Sequence, residues 1–496
     1  MDAALPLNSR RRADAAGTGG HNGVMESRVT VVILAAGLGT RMRSRKAKVL
    51  HRAGGRTLIE HAVATARELA PPERIFVVVG HQAEGVRAAV DTPGIGFIEQ
   101  REQNGTGHAV LVGRAALEPL GGYLVIVYGD GPLLRAATLR RLIENADESA
   151  RKGADKNAAA GVLLSALMDD PTGYGRVIRD ENGKVACIVE QKAATPEQLA
   201  IREANMGIYC FRSDLFWKHA AEMRPNNAAK EYYLTDMVAI LRRAGHSMEA
   251  LLIDDAREAL GINSRVELAE VDRLLRERKV RELMLSGVTI EKPETVTIDP
   301  DVCVGEDTVI GPFAQILGKT RIGEECTVGA CSIVEDSEIG SQVEIGAFTL
   351  VGHSRVERGA HIGPFARLRF GNHVEEGAHI GNFVELKKAH MGAGAKANHL
   401  AYLGDAEIGA RTNIGAGTIT CNYDGAHKHR TTIGKEVFVG SNATIVAPME
   451  IGDGAYLAAG SVITEPVPPD ALALGRARQV LKPEWAAKRK KVAKEA

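Results

Sequence analysis

An aliphatic residue followed by glycine returns every six residues in the second half of this chain, first at Val304-Gly305 and Ile310-Gly311, then at Ile322-Gly323 and Val328-Gly329. The phase slips, resumes at Ile345-Gly346 and again from Ile380, and is cleanest through Ile433, Val439, Ile445, Ile451, Leu457 and Ile463. Neither an α-helix nor an alternating strand has this period. A coil of three short faces does: each aliphatic residue points inward at a corner, and the next residue makes the turn, where glycine is tolerated. Residues 288–496 are therefore expected to form a parallel β-helix prism with a stacked aliphatic core. The stretch Thr420 to Thr432 breaks the period and is expected to leave the prism as a loop. The 54 glycines among 496 residues, above the average of roughly 7%, read as many tight turns.

Residues 28–262 have a different texture. Continuous apolar runs (VTVVILAAG, RIFVVVG, YLVIVYGD) alternate with helical patterns such as RTLIEHAVATARELA. This is the signature of an α/β Rossmann-like domain, a parallel sheet covered on both faces, whose ligands bind beyond the carboxyl ends of the strands. Between the two domains, 263–287 is expected to be a linker helix in which Leu268, Val271, Leu275 and Leu283 recur at helical spacing. Residues 1–27 carry Arg10, Arg11 and Arg12 but lack the apolar core of a secretion signal, and are expected to be a disordered extension. The basic end around Lys488 reads as a solvated terminus.

Lys plus Arg and Asp plus Glu each total 62, so no bulk field draws the chain to nucleic acid or an acidic membrane. No apolar run reaches the roughly 18 residues that span a bilayer. The six cysteines form no C-x-x-C pair, which argues against structural zinc and for a reducing cytoplasm.

Local chemistry must then hold any anionic ligand. In LAAGLGTRMRSRKAK (34–48), a buried strand runs into a loop with Gly37 and Gly39 whose backbone N–H groups can approach phosphate, followed by the cations Arg41 and Lys48. The segment is similar to the signature of the sugar-phosphate nucleotidyltransferases, with Ala47 where that family has proline. Downstream come Gln100, Gly105-Thr106-Gly107-His108, Tyr128-Gly129-Asp130, DDPTGYGRV around Gly175, Glu190, Asn205 and GINSR around Asn263. In this order they resemble the family of bacterial bifunctional N-acetylglucosamine-1-phosphate uridylyltransferase/glucosamine-1-phosphate acetyltransferases. The resemblance implies that Leu34, Ala35, Ala36, Gly37, Gln100, Gly105 and Thr106 hold the nucleotide of UTP, beside Tyr128 and Gly129. It further implies that Gly175, Glu190 and Asn205 hold the N-acetyl sugar, and that Asp130 and Asn263 are the protein ligands of Mg²⁺. A sugar phosphate attacking the α-phosphorus of UTP needs positioning and charge neutralisation, here by Arg41, Lys48 and the metal, and no general base. Taken singly, Asp130 and Asn263 read equally well as helix caps, and His108 as packing.

The second half carries IGPFARLRFG, GNFVELKKA, ANHLAYLGDAEIG and NIGAGTITCNYDG, which resemble the acetyltransferase half of the same family. A left-handed β-helix and a homotrimer with acetyltransferase sites between subunits follow from that resemblance. His399 matches the general base, a role that imidazole chemistry suits in the deprotonation of an attacking amine. Arg369, Lys387, Tyr402 and Asn413 match contacts to the acetyl acceptor. Ala416, Asn422, Tyr423, Ser441, Ala459 and Arg476 match positions lining acetyl-CoA. Phe370 stands where the family has proline. Outside this setting His399 would read as a polar wall residue, and Arg369 and Lys387 as solvated cations.

The implied function is acetylation of glucosamine-1-phosphate followed by uridylyl transfer to give UDP-N-acetylglucosamine, a cell-envelope precursor. One rival is a monofunctional sugar-1-phosphate nucleotidyltransferase with a structural β-helix, which leaves the His399, Tyr402 and Asn422 set unexplained. A non-enzymatic scaffold leaves both sets of phosphate-directed cations unexplained.

Overall fold

The computed structural model describes residues 28–152, 159–225, 227 and 230–495. The extension expected over 1–27 lies outside them. Contacts divide the chain into two compact units that meet within one helix, one ending at Leu275 and the other beginning at Arg276.

In the first unit, the wholly buried strand Val29–Leu34 lies parallel to Ile75–Val79 on one side and to Tyr123–Tyr128 on the other. Strand Gly96–Glu99 adds in parallel to Ile75–Val79. Alternate residues feed different cores: Val31 and Ile33 pack into one apolar cluster, Val32 and Leu34 into another. The sheet is thus covered on both faces.

It is mixed rather than parallel throughout. Strand Glu203–Arg212 runs antiparallel to both Tyr123–Tyr128 and Ala159–Leu167, and Gly175–Arg179 pairs antiparallel with Val185–Val189. A continuous apolar run reports burial on two faces and is blind to the direction of its neighbour.

Helix Arg265–Leu285 begins after a reciprocal cap. Ser264 Oγ accepts from Glu267 N at 3.3 Å, while Glu267 Oε2 accepts from Ser264 N at 2.7 Å and from Asn263 N at 2.5 Å. Val271, Leu274, Val280 and Leu283 are its buried residues, whereas Leu268 and Leu275 are only partly covered.

The second unit is a parallel β-helix. Three sheets of 11, 10 and 9 strands, counted among the described residues, form its faces, each pairing every third strand. One inward column runs Ile310, Val328, Ile345, Ile362, Ile380, Ala397, Ile414, Val439 and Leu457. Coils of 17 residues, such as Val328 to Ile345, are interspersed with coils of 18, such as Ile362 to Ile380, and this produces the slip in phase.

The glycines after the aliphatic residues serve close approach rather than tight turning. A Cβ on Gly329 would sit 2.5 Å from Ala347 N of the next coil. The left-handed corner conformations fall instead on residues such as Phe348 and Phe365.

The expected loop is also shorter than its sequence suggests. Ile419–Cys421 and Thr431–Ile433 are strands, so 422–430 protrudes. Thr420 is fully buried because its hydroxyl donates to Gly404 O at 3.1 Å, which lets a polar residue occupy an interior position.

Candidate functional site

The carboxyl ends of the parallel strands assemble a polar edge in the first unit. Gly129 N donates to Leu34 O, Ala35 N to Val78 O and Gln100 N to Val79 O, which draws Leu34, Ala35, Ala36, Gln100 and Tyr128-Gly129-Asp130 together. Gly37 follows as an exposed residue with open space about its Cα. Gly39 is left-handed, and a Cβ there would lie 2.7 Å from Lys48 Cβ. Glycine at this position allows the loop to fold against the lysine stem.

Four predicted residues meet at this edge. Lys48 forms an ion pair with Asp130 Oδ2 and donates to Asn263 Oδ1 at 3.3 Å, and Arg41 donates to that same oxygen at 2.8 Å. Asp130 and Asn263 are tied through the backbone as well, with Ile262 N donating to Asp130 O at 3.1 Å. Neither residue is a helix cap: Ser264 performs that role, which leaves the Asn263 amide oxygen facing the cations. Carboxylate and amide oxygens converging on a cationic centre are hard donors of the kind Mg²⁺ takes.

Ala47 adopts φ −55° and ψ 141°, within the range proline would impose. Its N–H donates to Gln82 Oε1 at 2.7 Å, and the Gln82 amide donates in turn to Arg45 O. Sequence reading missed Gln82, which lies 35 residues away with no periodic link to the loop.

Gly105 has φ 101°, and a Cβ there would stand 2.6 Å from Tyr232 O. Thr106 opens a short helix and its hydroxyl accepts from Leu234 N at 3.2 Å. Gln100 Nε2 reaches Gly105 O at 3.2 Å and His108 Nδ1 at 3.1 Å. That contact, with the Tyr232 ring 5.9 Å away, makes His108 a packing residue of this wall.

Tyr128 links the cation cluster to the remaining predicted residues. Burial, then the Asp130 and Glu190 carboxylates, push its phenol well up, so it stays protonated. A Cβ on left-handed Gly207 would lie 2.5 Å from its ring. Asn205 and Gly175 are register partners across adjacent strands. The Asn205 amide spans a strand irregularity, donating to the Tyr209 hydroxyl at 2.8 Å and accepting from Gly207 N at 3.2 Å. Glu190 accepts from the Thr235 hydroxyl at 3.2 Å, and burial raises its pKa, with Asp236 adding to the rise.

In the second unit, His399 is exposed and stands one coil above Asn382, its register partner, whose Oδ1 lies 2.8 Å from His399 Nδ1. Lys387 is buried, while Arg369 Nη1 pairs with Glu385 Oε1 at 3.2 Å. Phe370 collects charge: Arg369, Lys387 and Lys388 lie 5.8, 6.0 and 5.8 Å from its ring centroid. Lys428, on the 422–430 protrusion, is pressed against Lys387, which lowers its pKa first through a side-chain hydrogen bond between the two amines and then through like charge. Three cations thus gather around one ring, and a fourth, Lys428, stands beside one of them. Such a cluster recruits an anion.

Tyr402 leans over Gly404, where a Cβ would meet its hydroxyl at 2.4 Å and Asn422 Nδ2 at 2.7 Å. Asn422 is buried and donates to Asp405 Oδ2 at 2.5 Å, whereas Tyr423 is exposed with its hydroxyl on Gly425 O at 2.6 Å. Asn413 sits in register between Lys396 and Phe438. Ala416, Ser441 and Ala459 line one corner of successive coils: Asn442 N donates to Ala416 O, Gly460 N to Ser441 O, and Arg476 Nη1 to Ala459 O at 2.7 Å. That corner is a wall of small side chains ending in a guanidinium.

On the earlier coils the same corner is apolar. Phe348, Phe365 and Phe383 stack at 5.1 and 5.4 Å, all substantially exposed, with exposed Leu400 one coil above Phe383 and directly after His399.

Family comparison agrees with both halves. Residues 31–180 match the MobA-like NTP transferase domain, 301–336 the bacterial transferase hexapeptide (six repeats) and 430–465 the hexapeptide repeat of succinyl-transferase. The bifunctional protein GlmU of Solibacter usitatus is 69% identical over 95% of this chain and 99% of its own length. GlmU of Koribacter versatilis is 49% identical over 93% and 97%, and that of Trichlorobacter lovleyi 47% over 92% and 98%. With two domain types in the same order and similarity along nearly the whole length, the chain belongs to the GlmU family of bifunctional acetyltransferase/uridylyltransferases.

Proposed function

We propose that the two reactions of this enzyme run at the two clusters described above, acetyl transfer to glucosamine-1-phosphate in the β-helix and uridylyl transfer from UTP in the α/β unit. In the β-helix, His399 Nε2 is the general base that takes the proton from the sugar's 2-amino group as it attacks the thioester of acetyl-CoA. Arg369, Lys387 and Lys428 hold the sugar phosphate. Tyr402 and Asn413 contact the sugar, and the wall from Ala416 through Ser441 and Ala459 to Arg476 seats the cofactor beside Asn422 and Tyr423.

In the α/β unit, Leu34 to Gly37, Gln100, Gly105 and Thr106 hold the nucleotide, and Tyr128, Gly129, Gly175, Glu190 and Asn205 shape the pocket for the N-acetyl sugar. Asp130 and Asn263 hold Mg²⁺, which when bound neutralises phosphate charge. Lys48 and Arg41 then turn from Asn263 towards the phosphates and stabilise the charge that develops as pyrophosphate leaves. Because Glu190 and Asn205 serve an N-acetyl sugar, acetylation comes first.

The observation that carries this reading is the convergence of Arg41 and Lys48 on an Asn263 oxygen that helix capping does not use. We place the enzyme in the cytoplasm as a homotrimer. The exposed Phe348, Phe365 and Phe383 column beside His399 favours assembly, because an apolar stripe of this length is normally covered. No helix among the described residues is long and apolar enough to cross a membrane.

The test follows free thiol and pyrophosphate separately in glucosamine-1-phosphate, acetyl-CoA, UTP and Mg²⁺. Thiol release is expected without UTP, and pyrophosphate release only when acetyl-CoA is present. Pyrophosphate release at full rate without acetyl-CoA would reverse the order.

A further inference from the structure

One face of the prism carries imidazoles and carboxylates that neither active site uses. His373 and His390 are register partners on adjacent coils, with rings stacked 4.9 Å apart at 8°. Beside them, Glu357 Oε1 lies 2.7 Å from His373 Nε2 and Glu375 Oε1 lies 2.8 Å from His390 Nε2. Glu375 Oε2 accepts from Ala393 N at 2.8 Å. On the far side, Glu407 pairs with His390 Nδ1 and with Arg430. The donor atoms of His373, Glu375 and His390 all lie within 4.8 Å of one another.

We propose that His373, His390 and Glu375 form a binding site for a divalent transition ion of the Zn²⁺ or Ni²⁺ class. Two imidazole nitrogens and one carboxylate oxygen suit such an ion better than Mg²⁺, which prefers oxygen alone. Zinc–nitrogen bonds of about 2.0–2.1 Å put two bound nitrogens roughly 3.3 Å apart. Rotation of these partly exposed side chains closes the present separation. Glu407 supplies the orienting carboxylate that metal-bound histidines commonly use, holding His390 by Nδ1 with Nε2 towards the ion. Glu357 or water completes the coordination. Among the described residues Glu375 is hydrogen-bonded by the His390 imidazole and the Ala393 N–H, and a divalent ion would take the place of the His390 proton between them.

The full-length protein, freed of metal and kept in excess Mg²⁺ to occupy the oxygen-donor site, is titrated with Zn²⁺ against a chromophoric chelator, and with Co²⁺ followed by visible absorption. One ion per chain is expected, with Co²⁺ bands of four- or five-coordinate intensity. His373→Ala and His390→Ala are expected to weaken binding by roughly 100-fold and Glu375→Gln by roughly 10-fold. Both transferase activities report that the variants fold, and His373→Gln provides a second variant of similar size and polarity. Absence of Zn²⁺ binding to the wild type in Mg²⁺, or wild-type affinity in both His373→Ala and His373→Gln, would overturn the proposal.

Discussion

His399 Nδ1 lies 2.8 Å from Asn382 Oδ1, one coil away in the β-helix. A carbonyl oxygen only accepts, so the imidazole carries its proton on Nδ1 and presents the Nε2 lone pair. His399→Ala should reduce acetyl transfer by roughly 10²–10⁴-fold, the usual worth of a general base. Asn382→Ala, which leaves the ring but frees its tautomer, should lower kcat for acetyl transfer by about 10-fold, within that range. Uridylyl transfer by the same preparations should be unchanged.

Ser264 and Asn263 are neighbours with different duties, which a paired substitution separates. Ser264→Ala removes the cap of helix Arg265–Leu285 and should cost about 1 kcal/mol of stability with modest effect on pyrophosphate release. Asn263→Ala leaves that cap in place and should depress uridylyl transfer strongly, with Asp130→Ala abolishing it and acetyl transfer nearly intact in both. Full UTP turnover by folded Asp130→Ala protein contradicts the metal assignment.

The Gln82 amide holds by hydrogen bonds the backbone that proline would hold covalently ahead of Lys48. Gln82→Ala should therefore lower kcat for uridylyl transfer several-fold while acetyl transfer is maintained. Introducing Ala47→Pro into that variant should restore much of the loss, because the ring fixes φ close to the observed value. Failure of this rescue means that Gln82 does not act through the Ala47 backbone.

Burial raises the Glu190 pKa, so folding disfavours its charged form. For a carboxyl with a raised folded pKa, the stability it contributes is present below the unfolded value and is lost as pH rises through the folded one. Glu190→Gln should accordingly raise the melting temperature at pH 8 more than at pH 4. Uridylyl transfer by the wild type should fall on acidification at a higher pH than an ordinary glutamate would give.

The aromatic column makes assembly testable. Phe365→Asp combined with Phe383→Asp places charge on the exposed stripe and should shift the oligomer towards monomer by light scattering. Acetyl transfer should fall with it if that site lies between subunits, while uridylyl transfer persists.

Much of this molecule was legible from periodicity and local motif. The prism followed from Ile310, Val328 and their repeats, and the two reacting clusters from runs such as GTRMRSRKAK and ANHLAY. Asn382 was legible in principle, since it precedes His399 by one 17-residue coil, but only once the coil length was known. Lys428 and Gln82 were not, because each reaches its partner through tertiary folding alone. The role of Asn263 was open for a related reason: Ser264 and Asn263 are both good caps, and only the bond from Glu267 N to the Ser264 hydroxyl distinguishes them.

The sequence by itself determined that one half is a stacked coil and the other an α/β sheet, because inward aliphatic spacing and continuous apolar strands follow from the geometry of the backbone. It also determined which ionisable side chains are available for each reaction. Only the tertiary structure decided the direction of strand Glu203–Arg212, that the repeat glycines admit the next coil rather than turn the chain, and which oxygen Arg41 and Lys48 share. Those outcomes depend on contacts between residues tens to hundreds of positions apart, and local propensity carries no information about partners at that distance.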